Sequence, residues 1–183
     1  LDGADAVMLS GETSVGKFPS VTVATMARIL ESTETHGMGR IPPLGTKPRT
    51  QGGAITLAAA DVAEFVEAKF LCVFTESGDS ARRMSRLRSP IPMLAFSPSE
   101  EIRRKLSLVW GIESYAVPRV THTDEMYPQV DKTLLENNLA DIGDKVVVIS
   151  GSPPGTPGST NDLRVHIVGD AEHGAAPAWQ NPA

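Results

Sequence analysis

Lys69–Arg88, KFLCVFTESGDSARRMSRLR, contains the change of period from which the fold follows. Phe70, Leu71, Cys72, Val73 and Phe74 form an unbroken apolar run, as expected of a parallel strand covered on both faces. Thr75–Ser80, TESGDS, interrupts the run. Met84 and Leu87 then recur three apart among arginines, at helical spacing. The stretch reads as strand, turn and helix. A hydroxyl-rich and glycine-containing turn at the carboxyl end of a parallel strand aims N–H and O–H groups at one point, a chemistry suited to a phosphate.

A second stretch of the same chemistry, Gly151–Thr160 (GSPPGTPGST), follows the buried run Lys145–Ser150, KVVVIS. If the two strands are neighbours in a parallel sheet, both loops open into one crevice, where open α/β sheets bind ligands. By composition alone each loop is equally well a plain connecting turn, because Gly, Ser, Thr and Pro are ordinary turn formers.

The remaining elements extend outward from these two. Ala4–Leu9 is a short apolar run. Pro19 suits a first helical position, and Val23, Met26, Ala27 and Leu30 follow at helical steps. From Glu31 to Arg49 the periodicity dissolves into Gly, Pro, Thr and Lys, which marks a boundary. Thr50 is placed to cap a helix with Ala54, Leu57, Ala58, Val62 and Phe65 as its stripe. Pro92–Phe96 reads as a strand and Ser97–Pro98 as the start of a helix. A third strand centres on Ser114–Val117, and a helix capped by Thr123 or Asp124 runs to about Asn137. Leu163–Val168 alternates apolar and polar residues, with no room for a crossover helix before it, so it returns antiparallel at an edge. The expectation is an α/β fold: a mostly parallel five-stranded sheet, helices on both faces, an antiparallel edge strand, and one extra strand and helix at the amino end. The expected parts are 1–34, a linker 35–49, an α/β domain 50–169 and a loose tail 170–183.

Composition limits the function. A chain of 183 residues, 40% hydrophobic and 21% charged, makes a soluble globular protein, and its net charge of −5 argues against a nucleic-acid partner. No apolar run is long enough for a membrane span and no leader is evident, so no membrane partner is expected. The single cysteine, Cys72, lies inside an apolar strand and reads as a core residue of a cytoplasmic protein. His36, His122, His166 and His173 share no ligand spacing, so no metal site is expected. Because the sequence opens at Leu1 within a strand-like segment, we expect it to be part of something longer. Considered without family resemblance, the chain competes with a stand-alone, non-enzymatic α/β ligand-binding or oligomerisation module. A receiver domain would need acids at the ends of its strands, and Phe74, Phe96 and Val117 stand there instead.

LDGADAVMLSGETSVGKFP (1–19), the helix at Ala54–Val66, FTESGDSARRMSRLRSPIPMLAFSP and GDKVVVISGSPPGTPGSTNDLRV together resemble pyruvate kinase, most closely its bacterial members. The resemblance covers nearly the whole chain except the linker and the tail. It implies that residues 1–34 are the last strand and helix of a (β/α)8 barrel and that 50–169 is the carboxyl-terminal domain, which binds effectors and helps to assemble a homotetramer. It also implies transfer of a phosphoryl group from phosphoenolpyruvate to ADP with magnesium and potassium. The family's catalytic lysine and metal-binding carboxylates would lie upstream of Leu1, leaving Ser10 and Glu12 as active-site wall and no cofactor in this stretch. By the same resemblance the effector site comprises Thr75, Ser77, Gly78, Asp79 and Ser80 with Gly155, Thr156, Gly158, Ser159 and Thr160. Relatives that respond strongly to fructose bisphosphate tend to carry a basic residue where Glu76 or Asp79 stands. A carboxylate beside a phosphate costs on the order of a few kcal/mol. A sugar monophosphate or AMP is therefore the expected effector, ahead of the bisphosphate.

Overall fold

A computed structural model describes residues 3–41 and 47–172. Its centre is a five-stranded sheet in the order β3-β2-β1-β4-β5. The strands are β1 (Phe70–Phe74), β2 (Met93–Ser97), β3 (Ile112–Ala116), β4 (Lys145–Gly151) and β5 (Thr160–Ile167). The first four run parallel, and β5 returns antiparallel along β4 at the edge. This is the expected α/β architecture. β1 and β4 are neighbours, paired from Phe70↔Val146 to Val73↔Ile149, so the strand order reverses between them.

The helices are α1 (Gly11–Ser14), α2 (Pro19–Gly37), α3 (Gln51–Phe65), α4 (Asp79–Ser85), α5 (Glu100–Leu106) and α6 (Met126–Glu136). Alternate side chains of each central strand enter opposite core layers. Leu71, Val73, Met93, Ala95, Val147 and Ile149 pack with α3, α4 and α5. Cys72, Leu94, Phe96, Val146 and Val148 pack on the other face against Val130 and Leu134 of α6. Burial of Cys72 pushes its thiol well above the ordinary range, in keeping with a core role.

Several local expectations change. The buried face of α3 is Thr56, Ala59, Ala60 and Ala63, whereas Phe65 is 85% exposed. Three alanines and a threonine let α3 lie close on the sheet, so size rather than hydrophobicity chooses its inner face. Thr50 does cap α3, accepting from Gly53 N at 3.2 Å. α6 is entered through a 3-10 turn, Thr123–Glu125, in which neither Thr123 nor Asp124 caps. α5 is capped by Ser99, which accepts from Ile102 N at 3.3 Å.

Ala4–Leu9, expected as a strand, belongs to no ladder among the described residues. A strand needs a paired neighbour for its N–H and C=O groups, and none lies alongside. The segment is held instead by Arg88. Its Nη2 donates to Ala4 O at 2.9 Å, and the guanidinium faces Asp5 at 3.6 Å and lies over the Trp110 ring at 4.5 Å. Trp110 Nε1 in turn donates to Glu34 Oε1 of α2 at 2.7 Å. α2 continues to Gly37, past the expected start of the linker, and a 3-10 turn follows at Met38–Arg40. Of the expected tail, Asp170–Glu172 forms a 3-10 turn tied down by Ala171 N donating to Asp131 Oδ2 at 3.3 Å. Residues 173–183 of that tail, with His173, and 42–46 of the linker lie outside the described residues.

Candidate functional site

The carboxyl ends of β1, β2, β3 and β4 open into one cleft of about 570 Å³, its mouth included. Both hydroxyl-rich loops line it. Thr75, Ser77 and Ser80 come from the loop after β1, and Gly155, Thr156, Gly158, Ser159 and Thr160 from the loop after β4. The two loops also bond directly: Ser80 Oγ and Thr160 Oγ1 are 2.5 Å apart, both residues are 8% exposed, and 80 positions separate them in sequence. The cleft lies where the strand order reverses, the place in such sheets where two loops diverge and leave room for a ligand.

Local chemistry shapes the first loop. Thr75 Oγ1 accepts from Gly78 N at 2.9 Å, folding TESG into a tight turn. Gly78 has φ +79°, a left-handed backbone conformation that favours glycine. Arg82 Nη2 donates to Ser77 O at 2.9 Å, which braces the turn from behind. In the second loop Asn161 clasps Ser152, accepting from its N–H at 2.8 Å and donating to its carbonyl at 2.7 Å. Ser159 Oγ donates to Thr156 O at 2.7 Å. A Cβ on Gly151 would lie 2.1 Å from Ser159 Oγ, so only glycine lets the loop's two ends approach this closely.

Two expected residues do not line the cleft. Gly78 is buried behind the turn. Asp79, the first residue of α4, gives its carboxylate to Arg83 Nε at 2.7 Å. It neither fills the cleft nor caps α4, whose N-cap is Gly78. Ser10 and Glu12 stand apart from the cleft at α1, both exposed, with Ser10 N donating to Glu12 Oε2 at 3.2 Å.

Sequence reasoning missed the residues after β2 and β3. Pro98, Val117, Pro118, Val120 and Met126 give the cleft an apolar wall. Phe74 and Phe96 form its floor, stacked at 5.0 Å between ring centroids. Arg119 is the one cation of the lining and Glu76 the one anion, and they pair at 3.1 Å. Glu76, expected to repel an anion, therefore has its charge balanced within the cleft. The signal for Arg119 was its place three residues past the end of a parallel strand, which puts it on the same rim as the two hydroxyl loops.

Residues 53–166 match the family model described as the pyruvate kinase alpha/beta domain. Over 170 residues, 93% of the chain, the sequence is 51% identical to the pyruvate kinase of Mycobacterium tuberculosis, of which it covers 36%. It is 50% identical to the Corynebacterium glutamicum enzyme, covering 35% of it. The chain thus spans little more than a third of these relatives. Among solved structures, a pyruvate kinase from Cryptosporidium parvum aligns with TM-score 0.76 at 26% identity, over 88% of this chain and 32% of its own.

Proposed function

The chain belongs to the pyruvate kinase family, and on that premise we propose that it is the effector-binding and assembly part of a longer kinase. The observation that carries this is the meeting of the loops after β1 and β4 around one cleft, sealed by the Ser80–Thr160 hydrogen bond. Hydroxyls and glycine-rich backbone on one side and an apolar wall on the other suit a small molecule with a phosphate and a less polar body. The ionic groups of the lining sum to zero, with a single arginine present. One phosphoryl group has a cationic partner there and a second has none, which favours a sugar monophosphate or AMP over fructose bisphosphate.

The reaction of the longer protein is phosphoryl transfer from phosphoenolpyruvate to ADP in the cytoplasm, and residues 1–34 supply the last strand and helix of its barrel. Ser10 and Glu12 belong to the wall of that active site, directly after Ala4–Leu9, the segment that would pair as the barrel's last strand beside the barrel's other strands. Magnesium and potassium are cofactors of the longer enzyme. Among the described residues no group of three or more His, Cys, Asp and Glu side chains is placed to hold a metal ion. Assembly into a homotetramer is proposed with it, supported by large apolar side chains left exposed on this domain, such as Phe65 at 85%.

Isothermal titration calorimetry of the 183-residue chain with glucose 6-phosphate, AMP and fructose 1,6-bisphosphate tests the effector assignment. Saturable binding of a monophosphate, tighter than that of the bisphosphate, is expected. Heats at dilution level for all three would leave assembly as the domain's role and remove the effector site.

A further inference from the structure

The Glu76–Arg119 pair has a geometry that the effector assignment alone does not explain. The two residues come from loops after different strands, β1 and β3, and meet across the cleft at 3.1 Å. Their exposures are unequal: the Glu76 side chain is 22% exposed and that of Arg119 is 69%. The backbone on either side of Arg119 is anchored. Gln129 Nε2 donates to Pro118 O at 3.3 Å, and Thr121 donates to the Glu125 carboxylate through N at 3.0 Å and through Oγ1 at 3.3 Å. The guanidinium is therefore a solvent-exposed charge on an anchored backbone, and a change of partner needs side-chain rotation but no loop movement.

We propose that Glu76 and Arg119 form a latch on the cleft, in which the anionic group of a ligand displaces the Glu76 carboxylate from Arg119. This rests on the assignment of the cleft as an effector site. Arg119 is then the specificity-determining residue for the anion. Its planar fork matches two phosphate oxygens as well as it matches a carboxylate, so the exchange replaces one charge-assisted pair with another. Glu76 is the internal competitor. While the latch is closed the ionic lining is neutral and holds no free cation to attract anions indiscriminately. The gain on binding comes from the stronger, doubly charged acceptor and from the hydroxyls of the two loops. A ligand with one phosphoryl group and an uncharged body meets those conditions.

The test uses inorganic phosphate titrated into the full chain, with affinity read from calorimetry and the Arg119 Nε resonance followed by NMR. Glu76→Gln removes the competitor and should tighten binding about twofold to fivefold, while Arg119→Gln should weaken it about tenfold. The Arg119 Nε signal should move on saturation of the wild-type chain. Glu101→Gln removes an equal charge that is held by Lys105 outside the cleft, and should leave affinity unchanged. Equal gains from Glu76→Gln and Glu101→Gln would reduce the effect to a general field and overturn the latch. So would an Arg119→Gln chain that binds like wild type. If Ser77→Ala still weakened binding in that case, the effector site would stand and only the latch would fall. No phosphate binding by the wild-type chain would remove both.

Discussion

Replacing Ser80 and Thr160, singly and together, tests whether the two loops are joined as a unit. The hydroxyls are 2.5 Å apart and each residue is only 8% exposed, so neither has bulk water as a substitute partner. Thr160→Val keeps the shape and β-branching of the side chain but leaves the Ser80 hydroxyl buried without its partner. An orphaned neutral hydroxyl of this kind costs about 1–2 kcal/mol. Ser80→Ala does the same to Thr160 from the other side. In the double variant no hydroxyl is left unpaired, so its loss should fall short of the sum of the single losses by about 1 kcal/mol. Urea unfolding followed by far-ultraviolet circular dichroism, with slopes unchanged among the four proteins, measures all terms of the cycle. Losses that add without coupling would show that the hydrogen bond does not join the loops, and the cleft would lose its seal.

Three further outcomes follow from the same structure. Asp131 Oδ1 meets His166 Nε2 at 2.6 Å and its other oxygen accepts from Ala171 N, beneath the sheet, so Asp131→Ala should destabilise the chain by about 3 kcal/mol in urea unfolding. Lys69 and the amide of Asp141 hold the Asp144 carboxyl below its usual range. A carboxyl depressed on folding stabilises above its unfolded pKa and loses that contribution as pH falls through its folded pKa. The stability gap between wild type and Asp144→Asn should therefore be full at neutral pH and close as pH drops below about 4 in pH-dependent thermal melts. In a coupled lactate dehydrogenase assay with phosphoenolpyruvate, ADP, magnesium and potassium, the pure 183-residue chain should form no pyruvate.

The parts of the fold that could be read in advance are those where a single physical requirement sets the pattern. Phe70–Phe74 and Val146–Ile149 are apolar without alternation because both faces of a parallel sheet are covered, and both occupy central strands. The short loop before Leu163 permitted only a hairpin, and β5 is antiparallel. Features set by partners distant in sequence were less legible. In β5 the alternation runs against hydrophobicity: His166 is 1% exposed and Val165 40%, because Asp131 and Tyr127 of α6 give the histidine a polar and an aromatic partner inside. The inner face of α3 is set by close approach to the sheet, which places Ala59 and Ala63 inside and leaves Phe65 out. In the cleft, the hydroxyl-rich loops announced themselves by composition. Arg119 lies in the unremarkable stretch VPRVTH, and its importance depends on β3 lying on the same side of β1 as β2. Likewise the charge of Glu76 could not be weighed until its partner was known.

The most direct test of the central claim is a two-dimensional amide NMR titration of the chain with AMP. Amides of Ser77–Ser80 and of Gly155–Thr160 should shift together and fit one saturation curve, since both loops line the same cleft. Shifts confined to one loop, or absent from both, would contradict a shared effector site.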